Sequence, residues 1–355
     1  MMSRFLAERL VSLEAYVPGE QPQDKKYIKL NTNESPFPPS PYAERLARQA
    51  AGGLNLYCDP ECRVLTSVAA ESFGVSPEEM IFTNGSDEVL NFAFLAFCDE
   101  ASPAVFPDIT YGFYKVFAEL NGVPYREIPL TEDYRVDIRD YFGAKGTIFL
   151  ANPNAPTGVA VTKAEIESIL QKNPDHVVVI DEAYVDFGGE SALPLIGKYE
   201  NLLVTRTFSK SYSLAGGRLG IGFACPALIA DLKKIKYSTN PYNVNSMTAA
   251  AGIGALTDRE YFLRNMAIIK ENRARMTASL EAMGFTVLPS SANFIFAKCA
   301  GISGETIYQE LKKKGVLVRY FDKDRLRDFV RISVGSAEET DALLRAVKEI
   351  KEERA

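Results

Sequence analysis

The chain has 355 residues, 46% hydrophobic and 24% charged, which places it in the globular class and excludes a disordered one. Its 46 acidic against 40 basic residues give a formal charge of −6 without a long basic run, so nucleic acid and anionic membrane surfaces are not expected partners and any anion site must be local. No segment approaches the roughly 18 uninterrupted apolar residues of a membrane helix, the opening MMSRFLAERLVSLEAYVPGE lacks the apolar stretch of a secretory signal, and the five cysteines, an odd set, read as reduced thiols of a cytoplasmic protein.

In chain order, residues 1–30 form an arm expected to pack with a small C-terminal domain, and NTNESPFPPS (31–40) is a proline-rich extended crossing that cannot be a helix interior. Apolar runs rich in β-branched residues then recur at 80–83, 104–106, 147–151, 177–181, 202–206 and 220–224, between helical patterns. This is an α/β pattern: a large domain, 31–258, with a mostly parallel central sheet flanked by helices. Each run ends in a turn rich in Gly, Pro, Asn, Ser or Asp, and open α/β sheets bind ligands beyond the carboxyl ends of their strands. Residues 258–283 are amphipathic and nearly free of breakers, which predicts one long helix leaving the sheet. After Gly284, the segments FTVLPSSANFIFAKC, GVLVRYF and FVRISVG read as short strands, with helices at 304–313 and 337–352. They predict a small α+β domain from residues 259–355 together with the arm 1–30.

Four segments carry candidate chemistry. TNGSDE (83–88) opens an apolar helix with a Gly-Ser turn, offering free backbone N–H groups at a positive dipole end; alone it is equally an ordinary helix cap. ANPNAPTG (151–158) is an irregular loop presenting Asn152 and Asn154, or simply a well-built turn. VVVIDEAY (177–184) runs a buried strand into the carboxylates Asp181 and Glu182. In NLLVTRTFSKSYSLAGGRLG (201–220), Thr207, Ser209, Lys210 and Arg218 gather two hydroxyls, an amine and a guanidinium at one strand end, a set suited to a phosphate dianion beside a nucleophilic lysine. Lys210 by itself would be an ordinary solvated loop lysine.

Together and in this order, these segments resemble the aspartate-aminotransferase-like (fold type I) enzymes that use pyridoxal 5′-phosphate. The blocks LNTNESPFPPS, NGSDE, NPNAPTG, DEAYVDF, RTFSKSYSLAGGRLG, PYNVN and VRISVGS resemble the histidinol-phosphate aminotransferase family in particular. The resemblance implies that Lys210 forms the Schiff base and shuttles the proton, that Asp181 pairs with the pyridine nitrogen so that the ring can accept electrons, and that Tyr184 and Asn154 contact the ring's phenolic oxygen. It further implies a phosphate cup of Ser209, Thr207, Arg218 and the backbone at Ser86 and Asp87, with Tyr111 stacked on the ring. Arg331 would bind a substrate carboxylate or phosphate, Arg319 would be a further anion contact, and Asn33 and Glu34 would lie at the mouth and help choose the substrate. Tyr57 would reach the cofactor phosphate of a neighbouring subunit, implying a homodimer.

The implied reaction interconverts L-histidinol phosphate plus 2-oxoglutarate with imidazole-acetol phosphate plus L-glutamate, in histidine biosynthesis. A threonine-phosphate decarboxylase, an aromatic or broad-range aminotransferase and a non-catalytic cofactor-binding regulator are the rivals, the last without any basic extension to support it. Two positions depart from the family pattern, Cys58 where a proline is commoner and Gly217 where a leucine is. The single histidine, His176, precedes a strand and reads as a turn residue, so no metal site is expected and proton transfer falls to Lys210.

Overall fold

The computed structural model describes residues 3–354. Its arm ends in β1 (Ile28–Lys29). Seven strands then build the large sheet, β2 (Met80–Thr83), β3 (Ala104–Pro107), β4 (Tyr125–Ile128), β5 (Thr147–Ala151), β6 (Val178–Asp181), β7 (Leu202–Thr207) and β8 (Gly220–Ala224), in the order β2-β8-β7-β6-β5-β3-β4. β8 runs antiparallel to both neighbours, and all other neighbouring pairs are parallel. Every residue of β2, β3, β5, β6 and β8 is buried, because helices cover both faces, and such strands are unbroken apolar runs rather than alternating ones. Each fully buried Val, Ile or Phe contributes about 1.5–3 kcal/mol to that core. β4 is absent from the sequence expectation for a physical reason: at the sheet edge, Arg126 and Glu127 stay exposed and no apolar run forms.

The helix Arg259–Ala282 is N-capped by Asp258, whose side chain accepts from the Tyr261 N–H. Its Met266, Ile269, Met276 and Leu280 enter a second core with Phe285, Ile295, Val330 and Ile332. That core lies on the small sheet, built from β9 (Phe285–Val287), β10 (Phe294–Cys299), β12 (Arg319–Tyr320) and β13 (Phe329–Ser333) in the antiparallel order β12-β13-β10-β9, while β11 (Val316–Leu317) pairs in parallel with β1. Helices Gly304–Lys313 and Ala337–Glu352 follow, each N-capped by a serine, Ser303 and Ser336. Arg273 donates to the carbonyls of Phe187 (2.9 Å) and Ala292 (2.5 Å), pinning a loop of the large sheet to one of the small sheet.

The arm touches both sheets. Arg319 donates to the Val17 and Pro18 carbonyls (2.8 and 3.0 Å), and Glu20 accepts from Tyr308 and Lys312. Tyr16 instead stacks on Phe113 (4.3 Å between ring centres) and Arg9 donates to the Leu120 carbonyl, both against the large sheet's helix Phe113–Asn121. An exposed aromatic finds its apolar partner there, so the first part of the arm does not stay with the small sheet. Among the described residues no helix is long and apolar enough to cross a membrane.

Candidate active site

Parallel register places Ala151 beside Asp181 and Asp181 beside Thr205, so the loops that leave β5, β6 and β7 emerge together at one sheet edge. The two acids at the end of β6 meet different fates. Glu182 is buried but paired: the Arg206 guanidinium lies 2.9 Å away, and the Ser191 hydroxyl and Ala192 N–H donate to it. Asp181, 4% exposed, has among the described residues only uncharged donors, the Thr205 hydroxyl (3.1 Å), the Tyr114 phenol (3.2 Å) and the Ala183 N–H (3.2 Å). Burial, with the nearby Asp87 charge adding to it, pushes the Asp181 carboxyl up to about 6. A buried carboxylate held in place without a cation is built to receive one.

The Glu182–Arg206 pair makes the opposite statement. Arg206→Met keeps the volume but strands the Glu182 charge, and is expected to lower the unfolding free energy by about 3–5 kcal/mol at pH 7 in urea unfolding. A change below about 1 kcal/mol would mean that the pair is dispensable.

Lys210 follows β7 and is partly buried. Its Nζ donates to the Thr32 carbonyl (3.1 Å) and lies 5.8 Å from the Tyr184 ring centre. Burial, reinforced by the Arg331 charge, lowers its pKa to about 8. The Tyr184 phenol accepts from Asn33 Nδ2 (3.0 Å), and its ring meets Phe294 edge-on. Asn154 uses its amide within the chain: Nδ2 donates to the Ile109 carbonyl (3.0 Å) and Thr157 Oγ1 (3.1 Å), while Oδ1 accepts from Thr110 (2.8 Å). Its donors are therefore committed to holding the loop, and a ring contact would require one to be released.

Across the edge, the helix Ser86–Phe97 begins directly after Gly85, whose φ is +82°. A Cβ on Gly220 would come within 2.3 Å of the Ser86 nitrogen, so only glycine lets β8 pass this close to the helix start. Arg218, itself in the left-handed region at φ 53°, donates to Asp87 Oδ2 (3.1 Å) and reaches Ser209 Oγ (3.5 Å). Thr207 Oγ1 accepts from the Ser209 N–H (3.1 Å), and the Tyr111 phenol donates to Asp87 Oδ1 (2.7 Å). Hydroxyls, free helix N–H groups and a guanidinium thus converge as a phosphate requires.

Arg331 projects from β13. Its Nη2 donates to the Asn31 carbonyl (3.2 Å), its guanidinium lies over Phe294 and Phe321 (5.3 and 5.5 Å), and its Nε is a buried donor without a partner among the described residues. Arg319 is its direct partner across β12 and β13. Like charges opposite one another destabilise a sheet unless an anion lies between them.

The mouth reading is corrected for Asn33 by its surroundings, while the Glu34 side chain stays 39% exposed. Asn33 is 1% exposed and tied to Tyr184 and Ser333, because its amide finds its hydrogen bonds inside. Glu34 is held at 2.7 Å by Lys29 and by the Thr32 hydroxyl. Tyr57 is 84% exposed and stacks on Tyr242, with Leu54, Leu56 and Val64 also exposed. The sequence reading missed Thr205, Tyr114 and the Asp87 carboxylate. Thr205 could have been found from the shared register of β6 and β7, and Tyr114 from its place three residues after Tyr111 in the same aromatic segment that opens the helix Phe113–Asn121.

The model of the family described as aminotransferase class I and II matches residues 25–347. The chain is 45% identical over 349 residues to a histidinol-phosphate aminotransferase of Clostridium acetobutylicum, covering 98% of this chain and 99% of that one. It is also 45% identical over 351 residues to one of Brachyspira hyodysenteriae, with coverage of 98% and 99%. The structure of a histidinol-phosphate aminotransferase from Sinorhizobium meliloti in complex with pyridoxal-5'-phosphate matches with a TM-score of 0.86 at 28% identity, covering 93% of this chain and 92% of that one.

Proposed function

The chain belongs to the aminotransferase class I and II family, among the histidinol-phosphate aminotransferases, and from that premise we propose that it moves the amino group of L-histidinol phosphate to 2-oxoglutarate, giving imidazole-acetol phosphate and L-glutamate in histidine biosynthesis. The cofactor is pyridoxal 5′-phosphate, and the residues fit it: a buried acid without a cation, a partly buried amine and a cradle of donors at a helix start. When bound, that group withdraws electrons from the substrate Cα and stores the amino group between the two half-reactions.

Lys210 would hold the cofactor and then act as base and acid. With its pKa lowered to about 8, part of the amine is neutral near physiological pH and could take the Cα proton of the amino donor and, in the second half-reaction, supply a proton at the Cα of the new amino product. Asp181 would keep a proton on the pyridine nitrogen. Tyr184 would donate to the ring oxygen, with Asn154 beside it. Ser209, Thr207, Arg218 and the N–H groups of Ser86 and Asp87 would hold the phosphate, and Tyr111 would cover a ring face. We assign residues 31–258 to the cofactor domain and 259–355 to the small domain that carries the substrate arginines, with the arm 1–30 joining it through its later part while its first part lies on the large domain.

The observation that carries this reading is that Arg319 and Arg331 are cross-strand partners in the small sheet and that Arg331 keeps a buried Nε donor unfilled among the described residues. It suits a site that must accept both the α-carboxylate of glutamate and the phosphate of histidinol phosphate, since the latter has no carboxylate. Histidinol phosphate with 2-oxoglutarate is expected to yield glutamate, and Arg331→Lys, which loses the bidentate fork, should raise KM for both substrates about 10- to 100-fold. Carbon dioxide release from phosphothreonine without glutamate formation would overturn the proposal. A homodimer, with Tyr57 crossing to the neighbouring site, belongs to the same reading and is supported by the exposed apolar side chains around it. So does a cytoplasmic location, supported by five free cysteines.

A further inference from the structure

We infer that Asn33 and Ser333 are positioning residues that fix the polarity of the Tyr184 hydrogen bond, so that the phenol can only give its proton toward the cofactor. The observation is a closed circuit. The Asn33 N–H donates to Ser333 Oγ (2.8 Å), and that oxygen lies 3.0 Å from Asn33 Oδ1. A hydroxyl that accepts from the N–H turns its own proton elsewhere, and the acceptor in reach is Oδ1. Oδ1 is thereby identified as the acceptor end of the Asn33 amide, which settles the orientation that heavy-atom positions alone leave ambiguous. Nδ2 must then face Tyr184 as a donor, 3.0 Å from the phenolic oxygen. With Asn33 donating to that oxygen, the Tyr184 proton is directed away from Asn33.

The circuit is rigidly seated. Asn33 and Ser333 are 1% and 2% exposed, and Asn293, fully buried, donates to the Asn33 carbonyl at 3.0 Å. Asn33 takes φ 56°, a conformation that asparagine tolerates better than most residues. Such a backbone persists only where its surroundings hold it, and here they hold an amide against a phenol. The same short stretch supplies the Asn31 carbonyl to Arg331 and the Thr32 carbonyl to Lys210, so residues 31–33 touch Arg331, Lys210 and Tyr184 together.

This inference rests on Tyr184 facing the cofactor's ring oxygen. A hydrogen bond donated to that oxygen stabilises its anion and weakens the hold on a proton at the neighbouring nitrogen, which lowers the pKa read from the visible absorption band of the holoenzyme. Four variants separate the possibilities. Tyr184→Phe should raise that pKa by about one unit. Asn33→Asp, whose carboxylate takes the phenolic proton for itself, should raise it comparably, and Ser333→Ala, which frees the amide to turn over, should raise it by less.

The charged groups facing Tyr184 are Arg331 from β13, Asp181 at the end of β6, Asp87 from the helix Ser86–Phe97 and Lys210 after β7, and all are unchanged in these variants. The double variant Tyr184→Phe with Asn33→Asp then isolates the route. If Asn33 acts through the phenol, the double variant titrates close to Tyr184→Phe alone. A full additional shift would mean that the aspartate acts as a bare charge and overturns the inference, as would Asn33→Asp and Ser333→Ala lowering the melting temperature while the band titrates unchanged. Ser333→Ala keeps the test open if Asn33→Asp does not fold. If Tyr184→Phe itself leaves the band unmoved, the placement of Tyr184 fails first and the inference falls with it.

Discussion

Lys210→Ala is expected to lower transamination by on the order of 10⁴-fold or more and to end covalent trapping of the cofactor by borohydride, because on the proposed reading one amine is both anchor and proton carrier. Persistent trapping in the variant would place the attachment elsewhere. The wild-type protein offers a companion measurement on the cofactor-free form. Attachment needs the neutral amine, and the Lys210 pKa is lowered to about 8, first by burial and then by Arg331. The uptake rate should therefore rise roughly tenfold per pH unit below that value and level off above it. An ordinary exposed lysine would keep rising for about two further units.

Asp181→Asn should separate activity from stability. The change removes the charge but keeps the shape: the amide oxygen can accept from Thr205 and Ala183, and the amide nitrogen can donate to the Tyr114 oxygen. Losing the carboxylate partner of a buried cation costs about 3–5 kcal/mol, which corresponds to a fall in kcat of on the order of 10²–10⁴-fold. The cofactor-free protein should respond in the other direction. The folded pKa of about 6 lies above the ordinary 3.8, so between these values the folded state holds a proton that the unfolded state releases. Stability then falls as pH rises through that window, and at pH 7 the ionised carboxylate costs on the order of 3 kcal/mol. Asp181→Asn should relieve that cost, so the variant without cofactor should melt higher than wild type at pH 7 and differ little near pH 4. A lower melting temperature at pH 7 would mean that the carboxylate already has a favourable partner.

Much of this fold was legible because buried parallel strands spell themselves as apolar runs. The runs at 147–151 and 220–224 coincide with β5 and β8, and the long helix at Arg259–Ala282 follows a segment without breakers. β4 was illegible because edge strands carry charge outward. The candidate site divides in the same way. Lys210, Asp181 and Arg218 sit in dense local motifs whose residue types are hard to explain otherwise. Asn33 could be noticed but not interpreted, since its meaning comes from Ser333, 300 positions away, and no local pattern encodes that meeting. The unlike fates of Asp181 and Glu182 are also invisible in the chain order, because Arg206 and Thr205 reach them from another strand.

The pairing of β1 with β11, and of Asn33 with Ser333, has a consequence for biosynthesis. A growing chain can close the large sheet once β8 has emerged from the ribosome. Its own beginning must wait, because β1 and the segment behind it have no strand to join until almost the whole protein has been made. On this order the scaffold would form early and the Asn33–Tyr184 contact late. A nascent chain stalled before residue 316 would hold a formed large sheet with residues 28–33 still unpaired, and would meet the cofactor, if at all, with Tyr184 not yet set.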